Sequence, residues 1–139
     1  MTKSGRGKPV SDDVAVGRLK IARAILAAAQ VAEAGAAEGD IANPLVNNLV
    51  LCAIAYADAM TARFGRRINQ KDHAAVVKLL RDVMGNRLPN AQETRLLRLI
   101  ARKDEVQYSA RIVPMSEAGR LLRECEAFAA WAEQELSRR

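Results

Sequence analysis

The sequence predicts one all-α domain, a four- to five-helix up-down bundle. Alanine contributes much of the apolar half of the chain, whereas aromatic residues make up only 4%, and this composition favours helix over strand. Apolar residues recur at three- and four-residue spacing, the period of a helix with one buried face. No segment has the alternation of a strand. We therefore expect residues 12–137 to form a single helical bundle, preceded by a disordered basic tail over residues 1–11.

The first helix is predicted to begin at Ser11 or Asp12, whose side chains can cap its free N–H groups. It should run to about Ala37, because Gly35 and Gly39 bracket a short acidic turn where the periodic pattern stops. Its predicted buried stripe consists of Ala15, Leu19, Ala22, Leu26 and Ala29.

The second helix is predicted from Asn43-Pro44, since Asn caps a helix and Pro is favoured at the first helical position. It should extend to about Phe64 and end at Gly65. The segment is apolar on nearly all sides, which predicts the central and most enclosed helix of the bundle.

Three further helices follow. The third should begin near Asn69 and end before Gly85. The fourth should begin at Asn90, which forms a capping-box spacing with Glu93, and should weaken into the polar run at residues 102–105.

An extended link is predicted at Ile112-Val113-Pro114, because the residue before a proline avoids the helical region. Ser116 is then expected to cap a last helix that continues to Leu136.

The positive charge lies mainly in the termini. The net charge is +6, and five basic residues lie outside residues 11–137, namely Lys3, Arg6, Lys8, Arg138 and Arg139. Residues 11–137 therefore carry only +1, and the body of the domain is close to neutral. Two interpretations of the basic tail stay open: nonspecific affinity for RNA or DNA, or a solubilising role.

The remaining composition predicts neither a metal site nor a cofactor. Cys52 and Cys125 are too few for a structural zinc site and are expected to be small core residues in a reducing compartment. The basic N-terminal residues are not followed by the apolar segment of a signal peptide. The most apolar stretch contains Asn47, Asn48 and Asp58, which argues against a membrane span. The expected location is the cytoplasm.

Two polar residues are candidates for a binding site. Asp58 lies on the second-helix face shared by Asn47, Leu51 and Ile54, where an unpaired carboxylate would be costly to bury. It should serve either as a structural partner that fixes helix register or as a site carboxylate. His73 is the only histidine, and it is predicted one turn into the third helix. It is either packed or capping, or it lies in a groove between helices two and three near Asp58.

A third candidate is the polar segment from Arg102 to Arg111. If this segment is helical, Asp104, Tyr108 and Arg111 share one face, at positions i, i+4 and i+7. Arg102 and Tyr108 then lie about 240° apart around the axis, so the two cannot share a small-molecule site within one chain. The alternative is a solvated helix end.

The order of four short motifs resembles the HEPN superfamily, a group of small prokaryotic helical bundles often encoded beside or fused to minimal nucleotidyltransferases. The motifs are the run from Ala53 to Met60, the triplet Lys71-Asp72-His73, the segment from Lys103 to Tyr108, and Ser116-Glu117-Ala118. The resemblance covers about two thirds of the chain, from Val50 to Leu136.

The resemblance implies a site at the fourth helix. In nuclease members an Arg and a His four to six residues later cleave RNA across a homodimer interface. Arg102 matches the arginine, but Tyr108 stands six residues on, and tyrosine titrates near 10 in peptides, too high for a histidine-like base at neutral pH. Catalysis is therefore doubtful, and branches with tyrosine there serve as binding or antitoxin-like partners.

The resemblance thus implies a non-catalytic, homodimeric interaction module of a toxin–antitoxin or nucleotidyltransferase-linked system. It would bind a protein or a nucleic-acid or nucleotide partner at a dimer cleft, with Asp58, His73, Asp104 and Arg111 as candidate binding residues. One alternative is an active, metal-independent endoribonuclease that uses Arg102 and Tyr108. Another is a nucleic-acid-binding regulator that uses its basic tail.

Overall fold

The predicted all-α bundle is confirmed. A computed structural model describes residues 7–138, and this part of the chain contains five α-helices and one two-stranded sheet. The helices are α1 (Asp12–Ala34), α2 (Asn43–Gly65), α3 (Ala75–Met84), α4 (Asn90–Tyr108) and α5 (Met115–Leu136). A single 3-10 turn, Gly85–Arg87, links α3 to α4, and the strands are β1 (Lys8–Pro9) and β2 (Arg67–Ile68).

Helix α2 is the centre of the bundle, as its apolar sequence predicts. It contacts each of the other four helices, and its residues from Cys52 to Ala62 are all buried. Within the described chain, α2 alone is long and apolar enough to cross a membrane, but 83% of its most apolar window is buried inside the bundle. Its apolar character is that of a core helix.

Both cysteines lie in this core as free thiols. The Cys52 thiol donates to the carbonyl of Ala22 (Sγ–O 3.5 Å), and the Cys125 thiol donates to the carbonyl of Leu49 (3.7 Å). These contacts join α1, α2 and α5. The cysteines therefore act as the small core residues that the sequence predicts.

The small sheet corrects the expectation of a tail that is disordered up to residue 11. Lys8 pairs with Ile68 and Pro9 with Arg67 in antiparallel register, and the Val10 N–H donates to the Arg66 carbonyl at 3.0 Å. The short segment after α2 is extended and offers a free edge, which the incoming chain occupies. Residues 1–6 of the predicted tail lie outside the described residues.

Two helix boundaries also differ from the prediction. Helix α1 ends at Ala34 rather than Ala37, because Asp40 accepts the N–H of Ala37 (2.8 Å) and holds the turn outside the helix. Helix α3 begins at Ala75 rather than near Asn69. The Asn69 side chain accepts from the backbone of Lys71 (3.2 Å) and donates to that of Asp72 (3.0 Å), which folds this segment into a turn instead.

Helices α2 and α3 pack closely together at Gly65. A Cβ added there would lie 2.5 Å from Cγ2 of Val83, so only glycine allows this contact. The next residue, Arg66, takes the left-handed conformation that ends α2 (φ 55°, ψ 37°). Glycine or asparagine usually occupies such a position, and here the glycine is required one residue earlier.

Candidate functional site

An open cleft lies between α1, α2 and the turn at residues 69–73. Its volume is about 470 Å³, within the range of small-ligand sites. Four of its lining residues are aliphatic, and six are polar or charged. The lining residues are Arg18, Ile21, Ile25, Leu51, Ile54, Asp58, Asn69, Gln70, Lys71 and His73.

Asp58 lies on the polar side of the cleft and is 7% exposed. It shares its face of α2 with Leu51 and Ile54, as the sequence predicts, and both line the same cleft. Its Oδ2 is 3.5 Å from Nη2 of Arg18 on α1. Burial raises the pKa of Asp58 to about 6, and the nearby Arg18 guanidinium offsets only part of this effect. Asp58 is thus a buried carboxyl with one incomplete ion pair.

His73 faces the same cleft from the turn before α3. The structure corrects its predicted place one turn into the third helix, because α3 begins only at Ala75. Burial lowers the pKa of His73, and the positive charge of Lys103 lowers it further, while Asp72 opposes both. The imidazole is therefore neutral near pH 7, with one nitrogen able to accept a hydrogen bond.

Three buried polar atoms in this cleft have no hydrogen-bond partner within residues 7–138. They are Arg18 Nε, Asp58 Oδ1 and His73 Nδ1. Buried polar atoms are nearly always paired with protein or water, and here an unpaired donor and unpaired acceptors belong to residues that line a cleft with aliphatic side chains. The arrangement can bind a group that both donates and accepts a hydrogen bond and that has an apolar portion.

Part of the aliphatic lining of the cleft is exposed to solvent. Ile21 and Leu51 on its rim are 44% and 39% exposed. Further along the same face of α2, Asn47 Oδ1 accepts from Gln107 Nε2 of α4 at 3.3 Å. Asn47 lies one helical turn before Leu51, so the C-terminal part of α4 contacts α2 beside this end of the cleft.

Arg102 belongs to a network of ion pairs rather than to this cleft. Its Nε donates to Glu105 at 2.7 Å, and its Nη2 donates to Glu117 at the start of α5. Arg111 donates to the same two carboxylates, at 3.0 Å to Glu105 and 2.6 Å to Glu117. The two arginines and two glutamates sum to zero charge and join α4, the link and α5. Nε and Nη2 of Arg102 are therefore both engaged by carboxylates.

The predicted face of Asp104, Tyr108 and Arg111 is not formed. Helix α4 ends at Tyr108, so Arg111 lies on the extended link, from which it folds back onto Glu117. Tyr108 is 77% exposed and Asp104 is also exposed. Arg102 and Tyr108 do not converge within one chain, as their angular separation predicts.

Two features of these sites escaped the sequence reasoning. Arg18 has the spacing of an exposed residue on α1, and its partner on α2 lies 40 positions away. In the sequence, Glu105 lies in what is predicted to be a solvated run of charged residues, and Glu117 lies at the predicted start of a helix. No local signal identifies either pairing, although a buried Asp58 demands a cation nearby.

Metal ligation finds no support in the described part of the chain, where no three His, Cys, Asp or Glu side chains come together at a spacing suited to a metal ion. A comparison of the sequence with protein-family models and with curated proteins finds no match to either.

Proposed function

We propose that the protein is a non-catalytic, HEPN-like interaction module that forms a homodimer and binds a segment of a partner protein in the cleft beside Asp58. One observation carries the proposal: the guanidinium of Arg102 is paired with two carboxylates, Glu105 and Glu117, which neutralise its charge. A phosphate would have to displace Glu105 and Glu117, which are already paired with Arg102 and Arg111.

The chemistry of Tyr108 supports the same conclusion. It is 77% exposed, and a phenol is a poor base at neutral pH. An endoribonuclease would need it positioned at a ribose hydroxyl. The single histidine, His73, lies in the other site and cannot replace it within the chain.

The cleft supports binding of a partner segment. Two rim residues, Ile21 and Leu51, expose aliphatic surface that a partner side chain would bury at about 25 cal/mol per Å². The three unpaired polar atoms would gain hydrogen bonds from the partner's backbone or side-chain amides, which offer a donor and an acceptor together. The homodimer and the partner's place in a toxin–antitoxin or nucleotidyltransferase-linked system rest on the resemblance.

The catalytic alternative is tested with purified protein and structured and single-stranded RNA, with and without chelator. We expect intact RNA after prolonged incubation. Cleavage that disappears in both Arg102→Ala and Tyr108→Phe would establish the ribonuclease instead. Native mass spectrometry of the same sample should give twice the chain mass, and a monomer at micromolar concentration would contradict the homodimer.

The cleft is tested by co-purification with the protein encoded by the neighbouring gene. Leu51→Glu places a charge on the cleft rim and should abolish the complex. Leu97→Glu places the same charge on an exposed position of α4 outside the cleft and should leave the complex intact. Equal behaviour of the two variants would refute this site. A nucleotide that binds the wild type in place of the protein, and fails to bind Leu51→Glu, would make the ligand a small molecule.

A further inference from the structure

The excess positive charge of the described chain collects at one end of the bundle, where α2 and α5 finish and α1 begins. Six basic side chains form this region, called here the basic end: Lys8, Arg63, Arg66, Arg67, Arg87 and Arg138. Asp12 pairs with Arg66, and Glu135 pairs with Arg87 and Arg138; Asp13 follows Asp12 at the start of α1. Residues 7–138 contain 19 of the 22 basic residues and all 16 acidic residues. Without the six basic residues of this end and these three acidic residues, 13 residues of each sign remain.

Several contacts assemble the basic end from segments that are distant in sequence. The pairing of β1 with β2 fixes Lys8 beside the turn that carries Arg66 and Arg67. Nη2 of Arg63 donates to the carbonyl of Arg138 at 3.4 Å. The fold thus brings Lys8, near the N-terminus, and Arg138, near the C-terminus, into one surface.

Phe64 organises two of these cations. The guanidinium carbons of Arg63 and Arg87 lie 5.1 and 4.5 Å from the centre of its ring, within the range of cation–π contacts. Glu135 accepts from Arg87 at 3.0 Å and lies 3.5 Å from Arg138. These contacts hold three guanidinium groups, those of Arg63, Arg87 and Arg138, close together around the single carboxylate of Glu135.

Arg66 is an exposed member of the basic end, and its backbone conformation is an unfavourable one. A positive φ is unfavourable for an L-residue, and Arg66 adopts it at a position where its side chain is 73% exposed. Its ion pair with Asp12 is long, at 3.9 Å, and exposed on both sides. Such a pair contributes little to stability and exchanges readily for a stronger anion.

We propose that the basic end binds the phosphate backbone of a nucleic acid without sequence preference. Five of its six cations are arginines, whose planar guanidinium groups bind phosphate oxygens in bidentate geometry. Of the large hydrophobic residues exposed in residues 7–138, only Val16, in the first turns of α1, lies in a segment that builds this end. A protein or membrane partner would need such apolar anchors, whereas phosphate contacts need only the cations.

This surface is separate from the HEPN-like motif. Asn43 at the start of α2 donates to the Arg111 carbonyl at 3.0 Å, which places the Arg102 network at the opposite end of α2. A helix of 23 residues spans about 34 Å. Nucleic-acid binding here would therefore leave the Arg102 network accessible.

The test measures fluorescence anisotropy of labelled 20-nucleotide RNA, of DNA of the same sequence, and of a 20-residue polyglutamate, over a series of salt concentrations. The variant Arg63→Gln/Arg66→Gly removes two charges from the basic end, and glycine at position 66 relieves the positive-φ cost. Arg98→Gln/Arg123→Gln removes two exposed charges from the balanced part of the bundle. Both variants have the same net charge, and thermal unfolding checks that both are folded.

We expect RNA and DNA to bind wild-type protein alike, with affinity that falls steeply as salt rises. The basic-end variant should lose about tenfold or more at 100 mM salt, with a shallower salt dependence, because two phosphate contacts are gone. The control should stay within about twofold. No binding at 50 mM salt, equal loss in both variants, or polyglutamate binding as tightly as RNA would each overturn the proposal.

Discussion

Arg18 and Asp58 form an incomplete ion pair across the contact between α1 and α2. Nη2 and Oδ2 lie 3.5 Å apart, while Nε of the arginine and Oδ1 of the aspartate have no partner within residues 7–138. A buried carboxylate usually completes its hydrogen bonds within the protein. Both residues also line the open cleft between α1, α2 and the turn at residues 69–73, so the pair is a structural contact in the wall of that cleft.

Asp58 should make the protein less stable as the pH rises from 4 to 7. Burial raises the pKa of Asp58 to about 6 from 3.8, so the folded state binds more protons than the unfolded state in this interval. The proton-linked contribution is fully present below pH 4 and is lost as the carboxyl ionises, by roughly 3 kcal/mol at most.

Urea denaturation across this pH range measures the effect. Asp58→Asn should lack this loss, because the amide does not ionise and can still accept from Arg18. Asp104→Asn, at an exposed position of α4, should keep the wild-type profile. If Asp58→Asn loses as much stability as the wild type between pH 4 and 7, the carboxyl is not the cause.

His73 should titrate below its ordinary pKa of 6.5, because burial and the charge of Lys103 both disfavour the imidazolium. The chain has one histidine, so a proton NMR titration follows a single ring signal. Lys103→Ala should move the midpoint upward toward 6.5, whereas Arg98→Ala should not. A midpoint above 6.5 in the wild type would contradict the burial of the ring. Because the folded pKa is lowered, His73 itself favours the folded state above pH 6.5 and loses that contribution on acidification.

Arg102 should matter for stability rather than for chemistry. Arg102→Ala leaves Glu117, whose side chain is only 15% exposed, with fewer partners, and it should cost about 1–3 kcal/mol of unfolding free energy. Tyr108→Phe changes only an exposed phenol and should cost less than about 0.5 kcal/mol. Chemical denaturation compares the two. A larger cost for Tyr108→Phe would show that the phenol has a partner that the network interpretation omits.

Gly65 and Gly17 offer a matched pair of glycine substitutions in helices. Gly65→Ala would press a methyl group against Val83, 2.5 Å from its Cγ2, and should destabilise the fold by about 1–3 kcal/mol. Gly17 has no atom within 4 Å of an added Cβ, so Gly17→Ala should stabilise it by up to about 1 kcal/mol.

Thermal unfolding of both variants and of Gly65→Ala/Val83→Ala checks the reason. The second substitution in the double variant removes the clashing methyl groups and should recover part of the loss caused by the first, although it forfeits buried apolar contact of its own. Absence of any recovery relative to Val83→Ala alone would mean that backbone geometry, rather than Val83, excludes alanine at position 65.

Local sequence patterns identified the helices but not how their ends are held. Asn90 and Glu93 have capping-box spacing, yet both accept from Arg81, at 3.1 and 2.8 Å. Ser116 was expected to precede the last helix, but α5 already begins at Met115, after Pro114. A side-chain oxygen with several possible donors is taken by the one that packing brings nearest, and sequence spacing does not report that choice.

The all-α fold and the central place of α2 followed from the sequence by itself, because helical period and apolar content act over neighbouring residues. The incomplete Arg18–Asp58 pair, the neutralised Arg102 and the basic end required the tertiary structure. The contacts that form them join residues between 3 and 75 positions apart in the sequence. Most of these contacts form only because the helices pack together. Electrostatic interactions depend on separation in space and on burial, and neither quantity is local in the chain.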